Sequence, residues 1–142
     1  MPERVLVETD FLFGLRRRDE LHEAVMALLK EARAGRVAIS LSPAAPLEAT
    51  LVMRSAGLDD SSIARALGAM QTILSMFARV ESPGLSLSHA ALAAELRERY
   101  GLSLFDSIHG AVALAERLIY VGSDESVREA VESEGGRTRP LR

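Results

Sequence analysis

Cysteine is absent from the 142 residues, which excludes a disulfide framework and any thiolate metal site. Tryptophan and asparagine are missing too, and Lys30 is the only lysine among the basic residues. That bias is what a GC-rich genome produces. No apolar run approaches the roughly 20 residues that a membrane span requires. The opening MPERVLV does not read as a signal peptide, because acids break its apolar run at once. A reducing, cytoplasmic setting is therefore expected. The net charge of −3 argues against a broadly cationic nucleic-acid binder. It leaves room for an enzyme that meets a phosphate backbone through metal ions and a local basic patch. No P-loop, dinucleotide fingerprint or nucleophilic Ser-His pair is present.

What is present is an alternation of short β-branched runs and helical apolar spacings. Arg4 to Glu8, Arg36 to Leu41 and Leu118 to Val121 read as strands. A further short strand is expected around Arg79 to Glu81, and an edge strand over Arg137 to Leu141, where Pro140 permits only an edge or an end. Helices are expected over Phe11 to Arg17, from Asp19 to Gly35, and from Pro43 to Gly57 with Leu47, Leu51 and Val52 as its inner stripe. The next is capped by Asp59 or Asp60, with Ile63, Leu67, Met70, Ile73, Leu74 and Phe77 inward. Ser88 caps a helix ending at Gly101, another runs from Ser103 to Arg117, and a last one from Glu125 to Glu132. This pattern predicts a parallel sheet covered on both faces, in one domain.

In such a sheet, strand ends and the starts of the helices leaving them share one edge. Glu8 and Asp10 close the first strand, and Glu48 lies early in the helix after the second. Asp106 begins the helix feeding the last inner strand, and Asp124 follows that strand directly. All five acids fall on one rim. Like charges this close repel, and a cation keeps them ionised. An all-oxygen ligand set without cysteine favours Mg²⁺ or Mn²⁺. His109, one turn beyond Asp106, reaches the rim as a ligand or phosphate contact, or serves as a hydrogen-bonded helix-face histidine. Because two helices precede the last inner strand, the first of them is expected to lie across the rim as a wall over the acids.

Four stretches in this order resemble the PIN-domain family, in particular the toxin ribonucleases of VapBC-type pairs. VETDFLF is similar to the family's opening strand-plus-acid motif, and SPAAPLEATLV to the segment supplying its second acid, Glu48. YGLSLFDSIHGAVAL resembles the third motif, with Asp106 and His109, and LIYVGSDES the fourth, with Asp124. The resemblance implies a PIN-like three-layer α/β/α sandwich, with a central parallel sheet of four to five strands, as a single domain over 1–142. It implies a metal-dependent endoribonuclease in which Glu8, Glu48, Asp106 and Asp124 hold Mg²⁺ or Mn²⁺. Asp10, Thr9, Ser123 and His109 support that set, and Arg16, Arg17 and Arg18 guide the RNA. A homodimer and an antitoxin protein are the implied partners. Two positions depart from the family pattern: Glu8 stands where its first Asp is usual, and Gly122 where Thr or Ser is common.

The main rival is a PIN-like module with weakened catalysis that binds RNA or acts as a scaffold, for which Glu8 is the support. Phosphatases with an Asp-x-Asp after the first strand use an aspartate nucleophile and a nearby lysine. Glu8 and the distant Lys30 argue against them and against a phospho-accepting receiver domain.

Overall fold

The computed structural model describes all of residues 1–142. Its chain order is β1 (Glu3–Val7), α1 (Thr9–Phe13), α2 (His22–Arg33), β2 (Val37–Leu41), α3 (Ala45–Ser55) and α4 (Asp60–Phe77). There follow α5 (Leu87–Tyr100), α6 (Leu104–Ala115), β3 (Ile119–Gly122), α7 (Glu125–Ser133) and β4 (Thr138–Pro140). The four strands form one sheet in the order β2-β1-β3-β4, and every pairing is parallel. β1 and β3 are central, so the two strands that carry acids at or just after their ends are neighbours.

Alternation along these strands splits the core into two layers, because successive side chains point to opposite faces. Val5, Val7, Val37, Ile39, Ile119 and Val121 pack with α1 to α4, through Phe11, Val25, Leu29, Ala49, Met53, Ile63 and Leu74. Leu6 and Tyr120 face the other way, onto Ala93, Leu96, Ala111, Val112, Val127 and Val131 of α5, α6 and α7. Each buried valine or leucine contributes about 1.5–3 kcal/mol, so both faces hold the sheet. The three-layer α/β/α sandwich with four strands is thus present.

Several local expectations are corrected. Arg79 to Glu81 forms no strand; Glu81 makes only an isolated parallel bridge to Ser40. α5 does not lie across the rim. His89 near its start bonds Glu116 just past the end of α6, and Arg97 near its end bonds Ser107 in the first turns of α6. The two helices are therefore an antiparallel pair: α5 climbs, α6 descends, and β3 restarts from the lower edge. Ser86, not Ser88, caps α5 in a capping box with His89, and Gly101 ends it with a φ of +68°. α1 stops at Phe13, short of Arg17. The inner face of α3 is Ala45, Ala49 and Met53, while Leu47, Leu51 and Val52 are 57%, 45% and 47% exposed. Tyr100 points outward too and bonds Glu134.

Candidate metal centre

The β1–α1 corner is built by Glu8, the N-cap of α1. Its Oε1 accepts the Asp10 N–H at 3.0 Å, and its Oε2 accepts the Tyr120 hydroxyl at 3.0 Å. Both carboxylate oxygens are engaged, and the residue is only 6% exposed. Burial pushes its pKa up to about 7 and the Asp10 charge adds to this, while His109 and the two hydrogen bonds oppose it. Burial and the nearby Glu8 and Asp10 charges push the Tyr120 phenol up as well, so it stays a donor.

Tyr120 touches both Glu8 and the space beside Gly122. A Cβ at Gly122 would lie 2.4 Å from the Tyr120 hydroxyl oxygen and 2.6 Å from Cζ. The phenol occupies the space where a Thr or Ser side chain would begin, and from there it reaches the longer Glu8 side chain. Tyr120 lies two residues before Gly122 on the same face of β3, so the crowding is set by the strand's own geometry.

Asp10, in the first turn of α1, is oriented by the loop after β3. Its Oδ2 accepts from the Ser123 N–H at 2.8 Å and the Ser123 hydroxyl at 2.7 Å. Its Oδ1 is buried and has no hydrogen-bond partner. A buried carboxylate oxygen without a donor is costly unless something fills its coordination.

Glu48, in the first turn of α3, sits in a second network. Its Oε1 accepts from the Thr9 hydroxyl and meets His109 Nε2 at 2.8 Å. Burial works to raise its pKa, but the hydrogen bonds from His109 and Thr9 outweigh this and hold it below the usual value. His109 and Ser42 are both fully buried, and Ser42 Oγ lies 2.6 Å from His109 Nδ1. His109 is thus hydrogen-bonded at both ring nitrogens. One ligand atom each of Glu8, Glu48 and His109 lie within 4.8 Å of one another.

Asp106 lies in the first turn of α6, whose N-cap is Ser103. Burial raises its pKa, and the charges of Asp124 and Glu48 push the same way against Ser103 and His109. Asp124 caps α7, its Oδ1 accepting from Ser126 N–H at 2.8 Å and Val127 N–H at 3.4 Å. The acids thus feel one another across the strand ends, and the donors are carboxylate oxygens in part-buried surroundings. Such a set suits a hard divalent cation: Asp10 keeps an unpartnered oxygen, and no protein group donates to Glu48 Oε2. Each oxygen of Glu8 accepts a single hydrogen bond and keeps a lone pair, so Glu8 can add to the set without losing Tyr120 or the helix start.

Ser42 and Tyr120 were missed in the sequence. Ser42 closes a strand beside Pro43, and Tyr120 sits in an apolar run, so neither spacing marks the hydroxyl as important. Only the fold brings Tyr120 to Glu8, 112 residues away, and Ser42 to His109, 67 residues away.

The PIN domain family matches residues 5–132. No curated protein matches the chain. Among solved structures, VapBC2 of Rickettsia felis, bound to a DNA fragment from its promoter, superposes with a TM-score of 0.70 at 17% identity. It covers 98% of this chain and 99% of that one. Mycobacterium tuberculosis VapC20, a sarcin-ricin loop cleaving toxin, gives 0.62 at 23% identity over 93% and 95%. FitAcB from Neisseria gonorrhoeae gives 0.60 at 22% identity over 94% and 95%. At these identities the likeness is one of fold.

Proposed function

We propose that this chain, which belongs to the PIN-domain family, is a Mg²⁺- or Mn²⁺-dependent endoribonuclease and the toxin of a toxin–antitoxin pair. The observation that carries the reading is the set of acids at the ends of β1 and β3 and the starts of α3 and α6, in which Asp10, Glu48 and Asp124 each keep a carboxylate oxygen without a protein donor. Glu48, Asp106 and Asp124 would hold the cation. At the β1–α1 corner Asp10 has the free oxygen, and Glu8 offers the remaining lone pairs of oxygens held by Asp10 N–H and Tyr120. When bound, the cation would lower the pKa of a water and stabilise the leaving oxygen of a phosphodiester. The chain's own contribution is to hold the acids at fixed positions: Thr9 and His109 on Glu48, Ser123 on Asp10, and the α7 start on Asp124. Arg16, Arg17 and Arg18 are exposed just after α1 and offer positive charge to an RNA backbone.

The partner in this reading is an antitoxin. The R. felis neighbour is such a complex, and here Leu47, Leu51, Val52 and Leu58 leave an exposed apolar side on and after α3, where a protein partner would bury them. A homodimer and a cytoplasmic setting belong to the same proposal; no helix is long and apolar enough to cross a membrane. The engaged Glu8 carboxylate favours a second reading, an RNA-binding or scaffold module with weakened catalysis.

An RNase assay with Mn²⁺ separates the two. The wild type cleaves RNA and Asp106→Asn loses at least 100-fold in rate, the scale expected when a metal-assisted step is disabled. Equal cleavage by both would refute the site, and no cleavage by either would leave the weakened module.

A further inference from the structure

We propose that Ser42 and His109 are positioning residues, which lock Glu48 so that a single oxygen, Oε2, remains for a cation; this rests on the metal-centre reading above. Neither residue touches solvent, and both ring nitrogens of His109 are taken up by Ser42 and Glu48. Their effect must pass through Glu48.

The locations of the protons follow from hydrogen-bond accounting. The Ser42 hydroxyl is fully buried, and its single hydrogen-bond partner is His109 Nδ1 at 2.6 Å. A buried hydroxyl that donates to nothing is strongly disfavoured, so its proton points at Nδ1, which accepts. The neutral ring then carries its own proton on Nε2. That N–H donates to Glu48 Oε1 at 2.8 Å. The Thr9 hydroxyl donates to the same oxygen. Two donors from opposite sides of the site, one on α1 and one on α6, occupy Oε1 and fix the carboxylate plane. Ser42 itself is anchored, since its N–H donates to the Val7 carbonyl at 2.8 Å. The chain of contacts therefore runs from the central strand β1 through the end of β2 and α6 to an acid on α3.

A carboxylate held in this way binds through one oxygen. That suits Mg²⁺ or Mn²⁺, whose octahedral shells are geometrically strict, and outer partners of this kind typically set metal affinity by 10- to 100-fold. Glu48 without His109 would regain its side-chain rotations and keep only the Thr9 donor.

The test uses the full-length protein and Mn²⁺ alone, measured by titration calorimetry, beside ¹⁵N spectroscopy of the imidazole in EDTA. A Gln amide can place a donor near Nε2, whereas Leu cannot. We expect His109→Gln to bind Mn²⁺ within about threefold of wild type and His109→Leu to bind about 10- to 100-fold more weakly. The metal-free wild-type spectrum should show the proton on Nε2, a readout that needs no variant to fold. A proton on Nδ1 would overturn the proposal, as would wild-type affinity in His109→Leu. Gln as weak as Leu would make the ring nitrogen a ligand and overturn it too. Failure of the wild type to take up Mn²⁺ overturns the metal reading itself and this inference with it, whereas normal uptake with an indifferent Leu variant overturns the positioning role alone.

Discussion

Replacing Glu8 by Gln should stabilise the metal-free protein at alkaline pH and leave it unchanged in acid. Glu8 is 6% exposed, and its pKa is pushed from 4.5 up to about 7 by burial, with Asp10 adding to it. Because the folded pKa is raised, the folded state keeps a proton that the unfolded chain releases. The contribution is fully present below about pH 4.5 and is lost as pH rises through about 7. Each pH unit in that window is worth about 1.4 kcal/mol, so the whole effect amounts to about 3 kcal/mol. A Gln amide keeps an acceptor for the Asp10 N–H and can donate to the Tyr120 oxygen, so the local bonds survive. Urea unfolding in EDTA at pH 4, 5, 6, 7 and 8, with linear extrapolation, gives the difference between the two proteins. That difference should be near zero at pH 4 and favour Gln by about 3 kcal/mol at pH 8. Because the other titrating groups are common to both proteins, their effects cancel. A difference that stays flat across the range would show that Glu8 is not ionising in a dry site, and would refute the reasoning.

Two further perturbations check the packing. Gly122→Ala puts a Cβ within 2.4 Å of the Tyr120 hydroxyl oxygen; overpacking of this kind costs about 1–3 kcal/mol. Measured against Tyr120→Val alone, adding Gly122→Ala should cost nothing, and a loss that persists in that background would place the strain elsewhere. Met53→Ala should destabilise by about 2–5 kcal/mol, whereas Leu51→Ala, two residues away on the same helix but 45% exposed, should stay within about 0.5 kcal/mol. Equal losses in denaturant unfolding would restore the inner face first expected for α3.

The α3 result shows where sequence patterning runs out. Leu47, Leu51 and Val52 have helical spacing and are the largest apolar residues of their segment, so periodicity assigns them to the core. The fold buries Ala45, Ala49 and Met53 instead, because α1 and α4 pack on that side of α3. Periodicity marks an apolar face, but not whether the chain itself or another molecule covers it. The expected strand at Arg79 to Glu81 failed for a related reason: only one bridge, Glu81 to Ser40, forms, and a run of three residues does not reveal whether a partner strand lies beside it.

Alternating strands and helices, a cap at Asp59 or Asp60, and the placing of five acids at the ends of β1 and β3 and the starts of α3 and α6 were determined by sequence alone. Each depends on local periodicity or on the rule that parallel strands end on one edge. Tertiary structure alone decided what each acid is doing. It turned both oxygens of Glu8 onto the helix start and Tyr120, left Asp10 with an unpartnered oxygen, and joined Ser42 through His109 to Glu48. Those outcomes depend on which side chains meet across strands and layers, and residues 112 positions apart in the chain carry no local signal of that meeting.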